Sequence, residues 1–249
     1  MTGSTLPGLA VPRLVLWRHG RTAWNAAGRF QGQLDPPLDV TGHRDASASA
    51  ARLVASGLRP DDALVVSSDL DRTVQTATAL TDLLGVPLRL DARLREHGMG
   101  SWEGLTRDEV AERFPEQYAD WTAGRPVQGR GGEEPAAVAE RALAALVDLP
   151  KASVAVVVTH GGTAGRLLER LLGLGPEHRR AFGPLDNCAW SELAEQGGRW
   201  RLLRHNMSAH PVPDGRVDGS PEAAPASRSA GDRSDGAAPA PTADADAVL

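Results

Sequence analysis

Val154-Ala155-Val156-Val157-Val158-Thr159-His160-Gly161-Gly162 is the stretch whose reading decides the fold. Its opening run of β-branched and small apolar residues has no polar alternate position, so neither face of the strand can be wet. Strands of that kind lie inside parallel sheets covered on both sides. The run stops at Thr159-His160-Gly161-Gly162, and a helical pattern continues to about residue 172. Outward from there the same order recurs. Leu14-Val15-Leu16-Trp17 is an apolar run ending at Arg18-His19-Gly20, and Ala63-Leu64-Val65-Val66 ends at Ser67-Ser68-Asp69. The second of these is followed by a helix over about 70–84, closed by Gly85. Residues 87–90 read as a further strand, and a helix capped by Thr41 reaches about residue 56. Helices are also expected over 106–114, 115–123 and 135–149. Two late strands, near 188–193 and 200–203, are joined through Gly197-Gly198, a hairpin signal. Apolar strands alternating with helices predict a layered α/β fold, in which ligands bind beyond the carboxyl ends of the strands. If the three most apolar strands are parallel neighbours, His19, His160 and Arg72 converge at one rim.

The chain has 249 residues, 41% hydrophobic and 24% charged, with 27 Lys and Arg against 32 Asp and Glu and a formal charge of -5. That balance argues against a nucleic-acid coat protein. One cysteine, Cys188, excludes a disulfide framework. No apolar run approaches the ~18 residues of a membrane-spanning helix, and residues 1–12 lack the charged and apolar regions of a secretory signal. The chain therefore reads as a soluble, cytoplasmic enzyme with no nucleic-acid or membrane partner. Residues 214–249 are Ala, Pro, Gly, Ser and Asp with almost no large apolar residue, and carry seven acidic side chains against three arginines. Such a segment cannot bury enough surface to order itself. The expected organisation is a flexible lead over 1–12, one folded unit over 13–213 and a disordered acidic tail over 214–249.

The rim residues suggest a chemistry. Arg18 and His19 stand on a stiff support, Gly20 permits a close turn, and Asn25 offers an amide. Arg72 lies in the first turn of a helix, where free N–H groups and the positive end of the dipole favour anions. Two arginines, two histidines and one amide fit a dianion such as phosphate. A neutral imidazole can attack phosphorus while the cations stabilise the transferring group. Glu96 follows the third strand and is the candidate proton donor, since a carboxyl beside a bound dianion favours its acid form. Each piece also has an ordinary reading. Arg72 can be a solvated helix residue with Asp69 or Asp71 as its partner, and Glu96 a surface acid. The joint order along the chain favours the phosphate pocket.

Leu16-Trp17-Arg18-His19-Gly20-Arg21-Thr22 with Trp24-Asn25, the stretch 67–76, Leu94-Arg95-Glu96 with Gly100-Ser101-Trp102-Glu103-Gly104, and Thr159-His160-Gly161-Gly162 together resemble the histidine phosphatase superfamily, also called phosphoglycerate mutase-like. The resemblance covers nearly all of 13–206. It implies a three-layer α/β/α fold with a mostly parallel central sheet. It implies further that His19 is the phosphorylated nucleophile, that Arg18, Arg72, Asn25 and His160 hold phosphate, that Glu96 donates the proton, and that Gln31 and Gly32 contact substrate. No metal and no cofactor is implied. The partner is a small phosphorylated metabolite, and self-association as a homodimer is a family trait. Mutases of the superfamily carry Gly-Trp where this chain has Gly32-Gln33, so it resembles the phosphatase branch. Gln31-Gly32-Gln33-Leu34-Asp35, Gly131-Gly132-Glu133 and Asn187-Cys188-Ala189-Trp190-Ser191 are similar to phosphatases that act on glucosyl-3-phosphoglycerate. Such a substrate calls for a carboxylate contact, with Arg29, Arg125 and Arg130 as open alternatives. The competing readings are a phosphoglycerate mutase, a broad-specificity sugar phosphatase, a metal hydrolase, for which the seven histidines show no i, i+4 pair, and a phosphate-dependent binding module. Cys188 reads as a buried inert thiol.

Overall fold

The computed structural model describes residues 8–175, 178 and 181–209. In chain order the elements are β1 (Arg13–Arg18), α1 (Ala23–Ala26), α2 (Val40–Ala55), β2 (Ala63–Ser67), α3 (Asp71–Leu84), β3 (Leu88–Leu90), α4 (Arg107–Arg113), α5 (Pro115–Thr122), α6 (Pro135–Val147), β4 (Val154–Thr159), α7 (Gly161–Leu172), β5 (Trp190–Gln196) and β6 (Arg199–Met207). The strands form one sheet in the order β3-β2-β4-β1-β5-β6. β1, β4, β2 and β3 are mutually parallel, and β5 and β6 continue the sheet antiparallel. The late pair is the expected hairpin through Gly197-Gly198. The three most apolar strands are neighbours, with Arg18 opposite Thr159 and Ser67 opposite Val158, so their carboxyl ends align.

Both faces of β4 are covered: all six of its residues are buried. Alternate positions feed two cores. Ala155 and Val157, with Leu14 and Leu16 of β1, pack against Leu143 and Leu146 of α6 and Leu167 and Leu171 of α7. Val156 and Val158, with Val15 and Trp17, pack against Leu53 of α2 and Ala77 and Leu80 of α3. Each fully buried valine contributes about 1.5–3 kcal/mol from apolar surface removed from water. This is the three-layer α/β/α arrangement expected. A third, aromatic cluster of Phe30, Trp102 and Trp121 closes the loops around α4 and α5.

The cap of α2 is Asp39, whose carboxylate accepts from the Gly42 N–H at 2.7 Å, and Thr41 lies one residue inside the helix. Arg72 is not a solvated helix residue but fully buried. The flexible lead expected over 1–12 is described only from residue 8, and there Val11 is fully buried in the core and the Pro12 carbonyl accepts from the Glu195 N–H. The tail expected over 214–249 lies outside the described residues.

Candidate active site

β1 delivers Arg18 and His19 to the rim, both buried. The His19 N–H continues the ladder to the Thr159 carbonyl at 3.0 Å, which fixes the ring's starting point against β4. Gly20 can follow only because it lacks a side chain: a Cβ there would lie 2.7 Å from the Gly42 carbonyl oxygen. The Gly20 N–H donates to Thr76 Oγ1 of α3 at 2.9 Å, tying this corner to the helix that carries Arg72. His19 Nδ1 lies 2.7 Å from the Gly20 carbonyl. A carbonyl only accepts, so Nδ1 carries the proton and Nε2 of the neutral ring presents its lone pair. Burial first, then the Arg72 and Arg18 guanidinium groups, hold the His19 imidazole well below its ordinary value, which keeps it neutral.

β4 delivers His160, fully buried, as the residue before α7. Its Nε2 lies 3.0 Å from Ser68 Oγ at the end of β2, and its Nδ1 has no partner. Burial first, then Arg72, His19 and Arg18, push this imidazole down as well. The His19 and His160 ring centroids are 5.2 Å apart. Arg72 donates from Nη1 to the Leu34 carbonyl at 2.7 Å and from Nη2 to the Gly32 carbonyl at 2.8 Å. Arg18 donates to the Leu185 carbonyl at 2.7 Å. The convergence of His19, His160, Arg18 and Arg72 at one rim is therefore present.

Glu96 sits beneath α7 and supplies what that helix lacks. His160 makes no side-chain cap, and instead the Gly162 N–H donates to Glu96 Oε2 at 3.0 Å and the Thr163 N–H to Oε1 at 2.9 Å. A carboxylate at the positive end of a helix satisfies both the free N–H groups and the dipole. Oε1 also accepts from the His97 N–H at 2.7 Å and from the Thr163 hydroxyl at 3.2 Å. The surface-acid reading fails, since Glu96 is buried.

Asn25 is buried in α1, where its Oδ1 accepts from the Thr22 N–H at 3.0 Å and from Asn187 Nδ2 at 3.4 Å. Gln31 is fully buried, with its Oε1 2.9 Å from the Thr22 hydroxyl. Gly32 has φ +50° and an added Cβ would lie 2.2 Å from Glu103 Oε1, so this position needs glycine for its conformation and for space. Its carbonyl faces Arg72.

Residues that the sequence reading left without a role also support the rim. Arg141 donates from Nε and Nη2 to Glu133 at 2.8 Å each and reaches the carbonyls of Arg93, Arg95 and Glu96 at 2.7–2.9 Å. It thereby clamps the segment that carries Glu96. The alanine-rich pattern of α6 gave no hint of this single arginine. Ser68 was visible only as part of a polar turn. Cys188 is buried, with its thiol pushed up to about 12 by burial, in keeping with an inert group. Among the described residues no group of three or more His, Cys, Asp or Glu is arranged to hold a metal ion, and no helix is long and apolar enough to cross a membrane.

A sequence profile of the histidine phosphatase superfamily (branch 1) matches residues 14–208. The chain belongs to that superfamily, and it is a phosphatase. Among its relatives is the glucosyl-3-phosphoglycerate phosphatase of Mycolicibacterium vanbaalenii, 36% identical over 83% of this chain and 99% of the relative. A probable phosphoglycerate mutase GpmB of Yersinia pestis is 37% identical over 76% of this chain and 87% of the relative. The solved structure of mycobacterial glucosyl-3-phosphoglycerate phosphatase Rv2419c in complex with VO3 superposes with a TM-score of 0.70 at 36% identity, over 79% of this chain and all of that one.

Proposed function

We propose that the chain hydrolyses glucosyl-3-phosphoglycerate to glucosylglycerate and phosphate through a phosphohistidine on His19. The observation that carries the mechanism is the neutral His19 ring, its Nδ1 proton tied to the Gly20 carbonyl, set beside buried Arg18 and Arg72 and 5.2 Å from His160. In the first step Nε2 bonds to phosphorus and the bond from phosphorus to the ester oxygen breaks. Arg18, Arg72, His160 and Asn25 hold the phosphoryl oxygens as their charge spreads. The leaving alkoxide takes its proton from Glu96. Oε2, with one donor against the three on Oε1, is the oxygen that carries that proton. In the second step water gives a proton back to Glu96 and attacks phosphorus, the bond to Nε2 breaks, and phosphate leaves. The cations at the phosphate are side chains of the chain itself.

The glucosyl-3-phosphoglycerate phosphatases matched over nearly their full length support the substrate. Gly32-Gln33, where mutases of the superfamily carry Gly-Trp, favours hydrolysis over mutation. The same reading takes 13–213 as the catalytic unit, a cytoplasmic location where phosphorylated metabolites are held, substrate contacts at Gln31 and Gly32, and a homodimer that sedimentation tests.

The deciding experiment compares kcat/KM for glucosyl-3-phosphoglycerate, 3-phosphoglycerate, other sugar phosphates and p-nitrophenyl phosphate. A preference of about tenfold or more for the first is expected. A flat profile removes the named substrate and leaves a phosphatase of broad range.

A further inference from the structure

Ser68, His160 and His19 each follow the last residue of a strand, and the sheet order β2-β4-β1 sets them side by side with His160 in the middle. Ser68 is fully buried. Its N–H donates to the Val158 carbonyl of β4 at 3.0 Å. Its own carbonyl accepts from the Ser67 hydroxyl at 2.7 Å and from the Thr73 hydroxyl of α3 at 3.0 Å. The Ser68 backbone is thus held from β2, β4 and α3 together. Only its side chain is left to turn, and Oγ lies 3.0 Å from His160 Nε2.

The direction of that contact follows from the protons available. Ser68 Oγ already accepts from the Leu70 N–H at 3.3 Å. Among the described residues its own proton has one acceptor within reach, His160 Nε2. If Nε2 carried the ring proton instead, the Ser68 proton would be buried with no acceptor, and the bare lone pair of Nδ1 would be buried as well. A hydroxyl that donates to Nε2 avoids the first penalty and moves the ring proton to Nδ1. Nδ1 is buried with no partner, so its N–H is left for an acceptor that arrives with the substrate. The His19 ring, 5.2 Å away between centroids, is where the phosphoryl group is to bond. A lone pair on Nδ1 would repel the phosphoryl oxygens, whereas an N–H donates to them.

We infer that Ser68 is a positioning residue for phosphoryl transfer: by donating to His160 Nε2 it fixes that ring as the neutral Nδ1–H tautomer and gives the phosphate pocket an uncharged N–H donor. This rests on His160 holding phosphate, as in the reaction proposed above. Arg18 and Arg72 already bring two fixed positive charges to the rim. A neutral donor adds a directed hydrogen bond to the group in transfer without the tighter grip on product phosphate that a third cation would bring.

Two-bond ¹H–¹⁵N correlation spectra of the ¹⁵N-histidine-labelled protein at pH 7.5 read which ring nitrogens carry protons, with the His160 signals assigned by their loss in His160→Asn. The wild type is expected to show His160 protonated at Nδ1 alone, and inorganic phosphate is expected to shift that nitrogen. In Ser68→Ala the ring should redistribute towards the Nε2–H tautomer, and the Kd for inorganic phosphate should rise about tenfold. Ser68→Thr restores a hydroxyl and should recover both, and circular dichroism checks that the variants fold. A wild-type His160 protonated at Nε2, alone or together with Nδ1, overturns the inference. So does a folded Ser68→Ala in which either the tautomer or the phosphate Kd is unchanged. If the variants do not fold, the wild-type spectrum decides, and an Nδ1 that phosphate leaves unmoved counts against the inference. None of these readings requires turnover. Failure of the phosphohistidine reading is therefore separate: it shows as absence of label on His19, with the His160 tautomer still read.

Discussion

The rings of His19 and His160 meet edge to face, with planes at 61° and centroids 5.2 Å apart, although 140 residues of chain separate them. The parallel pairing of β1 with β4 brings them together, since each histidine follows the last residue of its strand and Arg18 lies opposite Thr159. Neither ring has room for a charge. Both are fully buried, and Arg72 lies close enough to lower both.

That shared burial predicts an acid-sensitive fold. Both imidazoles are held below their ordinary value in the folded state, so in the unfolded chain they take up protons at about 6.5 while the folded chain refuses them. The stability is therefore complete above about pH 6.5 and falls as the pH drops towards the lowered folded values, by up to about 1.4 kcal/mol per pH unit for each ring. Urea unfolding midpoints from pH 7.5 to 5 measure this. His160→Asn should shallow the slope, and an identical slope in wild type and variant would count against neutral burial.

Glu96→Gln removes the acidic proton while keeping size. Turnover of an alkyl phosphate should fall roughly 10²- to 10⁴-fold. p-Nitrophenyl phosphate, whose leaving group needs little protonation, should lose much less. Equal losses on both substrates would mean that Glu96 acts by capping α7 and not as an acid.

Arg141→Met removes two donors from Glu133 and leaves the carbonyls of Arg93, Arg95 and Glu96 without this partner. Stability should drop by about 1–3 kcal/mol in urea unfolding. If Arg141 positions Glu96, kcat for the alkyl ester should also fall while KM moves little. A stability loss with unchanged kcat would leave Arg141 a purely structural clamp.

Much of this architecture is legible in the residues. Val154 to Val158 announces a two-faced core strand because a strand with no polar alternate position has nowhere to present to water. The end of α3 was readable at Gly85, which adopts the left-handed conformation (φ 67°) that glycine tolerates. Boundaries set by small competitions were less so. Both Asp39 and Thr41 are good caps, and only the structure places Asp39 where its carboxylate meets the Gly42 N–H. The site was readable where a residue stands at the end of its own strand, as for His19 and His160. It was hidden where function depends on pairing across the chain. Glu96 caps a helix that begins 65 residues later, and Arg72 is oriented by carbonyls of Gly32 and Leu34.

The proposed reaction requires a covalent bond between phosphorus and His19 Nε2. Rapid quenching of the wild-type enzyme during turnover of ³²P-labelled substrate should trap acid-labile, base-stable label on the peptide containing His19. In His19→Ala the label should be absent and kcat should fall on the order of 10⁴-fold or more. Turnover of the wild type with no label at any quench time, or near-normal turnover by His19→Ala, would contradict it.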